Sequence, residues 1–174
     1  MGKRKGQLVF EFIIAAILLF GIIIYSINYL NTSVNVFRSD SYGNELELKT
    51  LQTSEMLVGH KGSWSGGNPD IIGLAHDSGW PVLDSTKLSD FDNTCDFPAG
   101  YSDILDKLDL LEATYLSVKS NYDLKVQINQ SGTLLVECND PALSVLPTNR
   151  RIAHVQRYAL TETGEILDVD VWVW

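Results

Sequence analysis

The apolar positions of this chain follow three different periodicities. From Phe12 to Ile24, thirteen consecutive residues carry no polar side chain. Extended to Leu30, the nineteen-residue stretch adds only Ser26, Asn28 and the phenol groups of Tyr25 and Tyr29. As a helix it is roughly 28 Å long, just enough for the hydrocarbon core of a bilayer. Beyond it, Val34, Phe37, Tyr42, Leu46, Leu48, Leu51, Met56 and Leu57 recur at mixed three- and four-residue spacing among polar residues, which predicts an amphipathic helix. There is no proline between Gln7 and Val58, only Gly21 and Gly43 weaken a helix there, and Gly59 and Gly62 are natural stops. The pattern predicts one helix from about Gln7 to about Val58, roughly 78 Å long. Residues 8–30 would be its apolar, membrane-length half and residues 31–58 its amphipathic half. Two helices with a break near Asn31–Ser41 are the alternative.

Residues 59–174 predict a small α+β domain. Gly62 to Pro81 is rich in Gly, Ser, Asn and Pro and reads as loop, with Trp64 and Trp80 as packing anchors. Ser85 to Asp92 reads as one short helical turn. Tyr101 to about Glu112, apolar at Ile104, Leu105, Leu108 and Leu111, reads as an amphipathic helix. The period then becomes two. Leu124, Val126 and Ile128 alternate with Lys125, Gln127 and Asn129, Gln130-Ser131-Gly132 is a turn signal, and Thr133 to Cys138 returns with Leu134, Val136 and Cys138 on one side. A second hairpin runs from Ile152 to Leu160, turns at Thr161 to Glu165 and returns through Ile166 to Trp174. Its last strand sets Leu167, Val169, Val171 and Val173 against Asp168, Asp170, Trp172 and Trp174. Four antiparallel strands with one apolar face need a cover, and the amphipathic half of the N-terminal helix supplies one.

Charge changes the picture at the start of the chain. The net charge is −9, from 13 basic and 22 acidic residues, which argues against a nucleic-acid partner. Without Lys3, Arg4 and Lys5 the remainder has 10 basic against 22 acidic residues, a net −12. A basic head before an apolar run and an acidic body matches a cytoplasmic start and an exported bulk. A secretory signal peptide needs small residues beyond the apolar core, where this chain has Tyr25-Ser26-Ile27-Asn28-Tyr29-Leu30-Asn31. An uncleaved anchor is the second reading. The third turns on Glu11, which lies one residue before the apolar run. An ionised carboxylate there is expensive unless paired. Cleavage after Gly6 makes Gln7 the new terminus, with a free ammonium group, and Glu11 the fifth residue. Among staggered parallel helices, Glu11 of one copy then meets the Gln7 ammonium of its neighbour, and only one axial register allows it.

The run Lys3-Arg4-Lys5-Gly6-Gln7, with Glu11 four residues after Gln7 and an apolar helix behind it, resembles the class III signal peptide of archaeal type IV pilin-like proteins. Gly6, Gln7 and Glu11 match the family's pattern position by position. Val9 and Ala15 depart from it, since the family often has Ser and Leu there, which leaves the peptidase subclass open. The resemblance covers roughly residues 1–60. It implies a type IV pilin-like α+β fold, with residues 1–6 as a prepilin leader, 7–58 as a stalk helix and 59–174 as a C-terminal globular domain. It also implies removal of the leader by a prepilin peptidase and a single-pass membrane stage with the N-terminus in the cytoplasm. Assembly into an extracellular, cell-surface filament of like or related subunits would follow, driven by a pilus assembly ATPase and a membrane platform protein. The acidic domain would coat the filament, where adhesion or other surface contacts occur. A membrane-anchored binding domain that never polymerises, and a pseudopilin of a secretion or uptake system, are the alternative functions. Ser63-Trp64, Ile72-Gly73-Leu74-Ala75, Asp84 to Lys87-Leu88, and Arg157 before a strand ending Trp172-Val173-Trp174 are similar to the same group, and carry no role over.

Cys95 and Cys138 are expected to form a disulfide if the domain lies outside the cytoplasm, and to be two buried thiols otherwise. A bond closing the ~43-residue loop is worth roughly 4 kcal/mol on the chain-entropy account. His60, His76 and His154 lack ligand spacing, so no metal site is read from them. Asp90, Asp92, Asp96 and Asp103 crowd one segment, read either as a calcium loop or as a solvated acidic loop. Asn31-Thr32-Ser33 and Asn129-Gln130-Ser131 are glycosylation sequons, with Asn129 at a hairpin turn the better acceptor. No nucleophile elbow, phosphate loop or histidine beside a nucleophile is present. The expectation is a protein that is not an enzyme and needs no cofactor, and that is itself a peptidase substrate.

Overall fold

A computed structural model describes residues 3–65, 68–114, 117–120, 122–140, 143 and 145–174, with side chains described outside 3–9, 33–41, 68 and 112–120. The chain divides into two compact units, residues 1–42 and 43–174. One α-helix, α1 (Lys3–Gly59), runs through the first unit and into the second. It is unbroken at Asn31–Ser41, and the absence of proline accounts for that.

In the second unit, α1 is followed by a hairpin of β1 (Ser63–Ser65) and β2 (Asn68–Ile71), then by α2 (Ser85–Cys95) and α3 (Pro98–Lys107). A short pair, β3 (Leu111–Thr114) and β4 (Ser117–Ser120), precedes four longer strands: β5 (Leu124–Gln130), β6 (Thr133–Cys138), β7 (Ala153–Leu160) and β8 (Ile166–Val173). These four form one antiparallel sheet in the order β6-β5-β8-β7. The fold is therefore α+β, with an apolar N-terminal helix and a small antiparallel sheet.

One face of the sheet is the core. Leu124, Val126 and Ile128 of β5 and Leu167, Val169, Val171 and Val173 of β8 are fully buried, as their alternation with polar residues requires. Leu46, Leu57 and Val58 of α1, Leu88, Phe91 and Cys95 of α2, and Tyr101, Ile104 and Leu105 of α3 belong to the same cluster. The cover is thus shared by three helices. The buried stripe of α1 is Leu46, Thr50, Thr53, Ser54, Leu57 and Val58, a run at helical spacing. Leu48 and Leu51, expected in that stripe, are exposed at 55% and 46%, while Met56 is half-buried. Half the stripe is hydroxylated, and two hydroxyls return their hydrogen bonds to the helix: Thr50 Oγ1 to Leu46 O (2.7 Å) and Ser54 Oγ to Leu51 O (2.8 Å). Val34 and Phe37 lie among residues whose side chains are not described.

Several sequence expectations are corrected. Gly62–Pro81 is not all loop, because β1 and β2 form there, strands too short for alternation to announce. The segment after them is tied to the end of α1 and the residue beyond it: Leu74 N–H donates to Leu57 O (2.7 Å) and Ala75 N–H to His60 O (3.0 Å). Gly62 sits at φ +61°, with the Ile71 carbonyl 2.6 Å from where a Cβ would lie, so only glycine fits the crossing. Trp64 packs on the core and bonds Gly73 O through Nε1 (2.8 Å). Trp80 is 51% exposed and no core anchor.

Ser85 opens a full helix of 11 residues, because the Asp84 carboxylate caps it, accepting from Thr86 and Lys87 N–H. The next helix stops at Lys107 and not near Glu112. Asp109 takes a left-handed φ of 56°, its N–H donates to Asp106 O, and Leu110 N–H donates to Leu105 O. That is a Schellman stop with aspartate where glycine is usual, which is why the sequence hid it.

Leu134 is 46% exposed and not on the core side. The register shifts at Ile128/Asn129, pairing Ile128 with Val136 but Asn129 with Leu134. The bulge at Leu135 turns Leu134 to the outer face. Trp174 is buried at 3% exposure; the alternation ends with β8 at Val173.

Cys95 and Cys138 form a disulfide, bridging α2 and β6 across a separation of 43 residues. The other tie to the sheet is Tyr101. Leu124 lies opposite Val173 in β8, and its N–H and carbonyl point towards β6, which has ended at Cys138. The Tyr101 hydroxyl fills that place, donating to Leu124 O and accepting from Leu124 N–H, both at 2.9 Å. Burial drives the Tyr101 phenol above its ordinary range, against the opposing effect of the Leu124 hydrogen bond. The unfolded chain therefore loses this proton first. Stability from Tyr101 is complete below about pH 10, the phenol value in the unfolded chain, and is lost as pH rises above it. Tyr101→Phe is expected to lower unfolding free energy by ~1–3 kcal/mol and to flatten its alkaline decline, as read by denaturant titrations at pH 8 and above 10.

Candidate functional site

The first unit carries the segment with the most unusual chemistry. Phe10–Thr32 of α1 is a 23-residue span of mean hydropathy 2.5, with none of it buried. Phe12, Ile17, Leu18, Phe20, Ile22 and Ile24 are each about 60–75% exposed, around all sides of the helix as successive 100° steps dictate. By length and composition this helix can cross a membrane. Near its far end Tyr25 and Tyr29 stack with centroids 6.4 Å apart, and Thr32 Oγ1 donates to Asn28 O (3.0 Å). Aromatic rings with polar tips and self-satisfied hydroxyls suit a bilayer interface.

Gly6, Gln7 and Glu11 all lie within α1. Gln7 and Glu11 are four residues apart, so they share one helix face, about 6 Å apart along the axis. Glu11 is the second residue of the apolar span, and its side chain is exposed. The side chains of Gly6 and Gln7 are outside the described residues.

The remaining candidates are dispersed. Asp90 and Asp92 lie in α2, Asp96 caps its end and Asp103 lies in α3, so the four do not crowd one loop. Asp92 Oδ1 instead accepts the N–H of Glu137 (3.0 Å). Among the described residues no three His, Cys, Asp or Glu side chains are placed to hold a metal ion. Asn129 is inside β5 and paired with Asp168, and not at the turn itself, which is Ser131-Gly132 with both φ positive.

Two features escaped sequence reading. Ser54, Glu55, Val58, Gly59, Trp80 and Arg157 line a cavity of about 230 Å³, where Arg157 Nη2 lies 3.5 Å from Glu55 Oε2. The outer sheet face is an interlocked polar surface. Lys125 pairs with Glu137 (2.9 Å), His154 Nε2 lies 2.8 Å from Asp170 Oδ1, and the His154 ring stacks on Trp172 at 4.7 Å. The Lys125 hydrogen bond, helped by Gln127, holds the Glu137 carboxyl below its ordinary range. Cross-strand pairing placed these side chains together, and pairing order is not written in the alternation of any one strand.

A charge at the centre of the apolar span costs ~3 kcal/mol of insertion. If a bilayer holds this span, Leu19→Arg is expected to lower the share of the chain in the carbonate-resistant membrane fraction, while Leu19→Val leaves that share unchanged. No protein-family model, curated protein or solved structure matches the chain.

Proposed function

We propose that this chain is a type IV pilin-like subunit of a surface filament. Its leader, residues 1–6, is removed by a prepilin peptidase between Gly6 and Gln7, and its apolar helix is then drawn from the membrane into the filament core. The observation that supports this reading is the uncovered span Phe10–Thr32 with a carboxylate at its mouth, four residues after a Gly-Gln junction. Apolar surface of that extent must be covered by lipid or by other copies. A charged carboxylate at the mouth of such a span is costly under either cover. The new ammonium of Gln7 on an adjoining copy neutralises it, at one stagger only, so the same contact sets the register of assembly.

Heterologous packing of this kind generates an open helix of like or related subunits and not a closed ring. The acidic domain, residues 59–174 with 8 basic and 17 acidic side chains and a net −9, faces outward and keeps the coat soluble. The Cys95–Cys138 bond fits an oxidising space outside the cytoplasm. The peptidase, an assembly ATPase and a membrane platform are the partners this scheme requires. The same span would serve a permanently anchored domain or a pseudopilin, and Glu11 and the site of export separate these from a surface pilin.

Mass spectrometry of the surface fraction is expected to find Gln7 at the N-terminus. Glu11→Gln, which keeps shape and removes charge, is expected to leave processing and membrane residence intact and reduce filament incorporation at least tenfold. An intact leader, loss of everything through about Leu30, or normal incorporation of Glu11→Gln overturns the proposal.

A further inference from the structure

Packing accounts for neither Trp80 nor Arg157. Trp80 is a large aromatic left 51% exposed, yet its backbone is braced on both sides. Gly79 N–H donates to His76 O, His76 N–H to Val82 O and Leu160 N–H to Pro81 O, each at 2.8 Å. Arg157 stands in β7 opposite the buried Val169, on the face that Val155 and Ala159 also occupy. Its guanidinium meets Ser54 Oγ of α1 at 3.4 Å and Glu55 Oε2 at 3.5 Å. Both contacts are at the long end of hydrogen-bond range, for a group that carries five N–H donors. Glu55 Oε1 lies 2.8 Å from where a Cβ on Gly59 would be, so the bare backbone there makes room for the carboxylate. These four residues and Gly59, with Val58, line the cavity of about 230 Å³.

We infer that this cavity binds the ring of a neutral sugar. Charge and polarity select the ligand by elimination. An anion drawn to Arg157 meets the Glu55 carboxylate, and a cation drawn to Glu55 meets the guanidinium, because the two groups are 3.5 Å apart. An apolar ligand strips water from both charges and returns no hydrogen bond. A ring with adjacent hydroxyls satisfies the pair as it stands: one hydroxyl accepts from Arg157 while its neighbour donates to Glu55. The C–H face of the same ring packs on the broad apolar surface of the indole. The bonds around Trp80 hold that wall in place before the ligand arrives, which lowers the ordering cost of binding. At about 230 Å³ the cavity is smaller than those that take drug-sized ligands, roughly 300–1,000 Å³, and suits a single ring. Its mouth is open, since the Glu55 side chain is 64% exposed, so the ring can be one unit of a longer chain. All six residues lie in the second unit, and the inference rests on nothing in the filament reading.

Saturation-transfer NMR tests it on the full chain, in micelles of a detergent without a sugar headgroup. The probes are the methyl glycosides of glucose, galactose, mannose and N-acetylglucosamine. At least one is expected to bind with a Kd on the order of 1 mM, the scale for so small a ligand. Trp80→Ala and Glu55→Ala, both at exposed side chains, are each expected to weaken that binding at least tenfold, with the denaturant midpoint of unfolding near that of the parent chain. Arg157→Lys keeps the charge and loses the planar fork, and is expected to weaken it by a similar factor. Tyr158→Ala, on the other face of β7, is expected to leave binding unchanged. The inference is overturned if none of the four glycosides binds at ten times that concentration, or if Trp80→Ala binds as well as the parent chain. Tighter binding of glucuronate or glucosamine than of every neutral glycoside makes this an ion site, and tighter binding of a capped Gly-Asn-Gly peptide makes it a peptide site; either result overturns it too.

Discussion

Apolar surface exposed to water costs roughly 25 cal/mol per Å², and this chain carries it in two places on one helix. The second half of α1 covers its share with the domain: Leu46, Leu57 and Val58 join the sheet and the two short helices in a single core. The first half, Phe10–Thr32, covers none. Continuity of the helical backbone through both halves makes the domain inseparable from whatever solvent or neighbour the first half selects. Lipid satisfies that demand without specificity. In the proposed assembly Glu11 would add the specificity, because a charge in an apolar medium accepts few partners.

The domain is built to be self-sufficient. Its core contains every inward residue of β5 and β8, and three helix ends are closed: Asp84 caps α2, Asp109 closes the turn after α3, and Leu74 N–H occupies the Leu57 carbonyl near the end of α1. Gly100 permits the closest approach within the helical layer, since a Cβ there would lie 2.0 Å from Thr94 O. The hydroxyl stripe of α1 fits the same logic in part. Thr50 and Ser54 bond back to their own helix, whereas the buried Thr53 Oγ1 between them has no hydrogen-bond partner among the described residues.

Much of this was legible in the residues. The apolar span, the long helix and both large hairpins follow from composition and period, while the Cys95–Cys138 bond is one of the two outcomes the residues left open. What failed to show was set by tertiary contact. Leu48 and Leu51 looked like core and are exposed, because the stripe facing the sheet is chosen by rotation of the helix, and Thr50, Thr53 and Ser54 fall on it. Leu134 looked inward until a bulge inserted one residue. Asp109 stops a helix where no glycine gave notice, and Tyr101 replaces a strand partner from 23 residues away. Of the candidate N-terminal site, the residue types and spacing were readable, whereas the geometry between copies that the proposal requires is written in no single chain.

The Cys95–Cys138 bond has a mechanical meaning as well. A load applied between α1 and the last strand passes along the chain to Cys95, crosses the bridge and continues from Cys138, leaving α3, β3, β4, β5 and β6 in a bypassed ring. Those 43 residues could otherwise pay out roughly 150 Å of contour. A chain held at one end and dragged by the other is in this way shortened against stretching, and β5, one of the two central strands, is spared the tension.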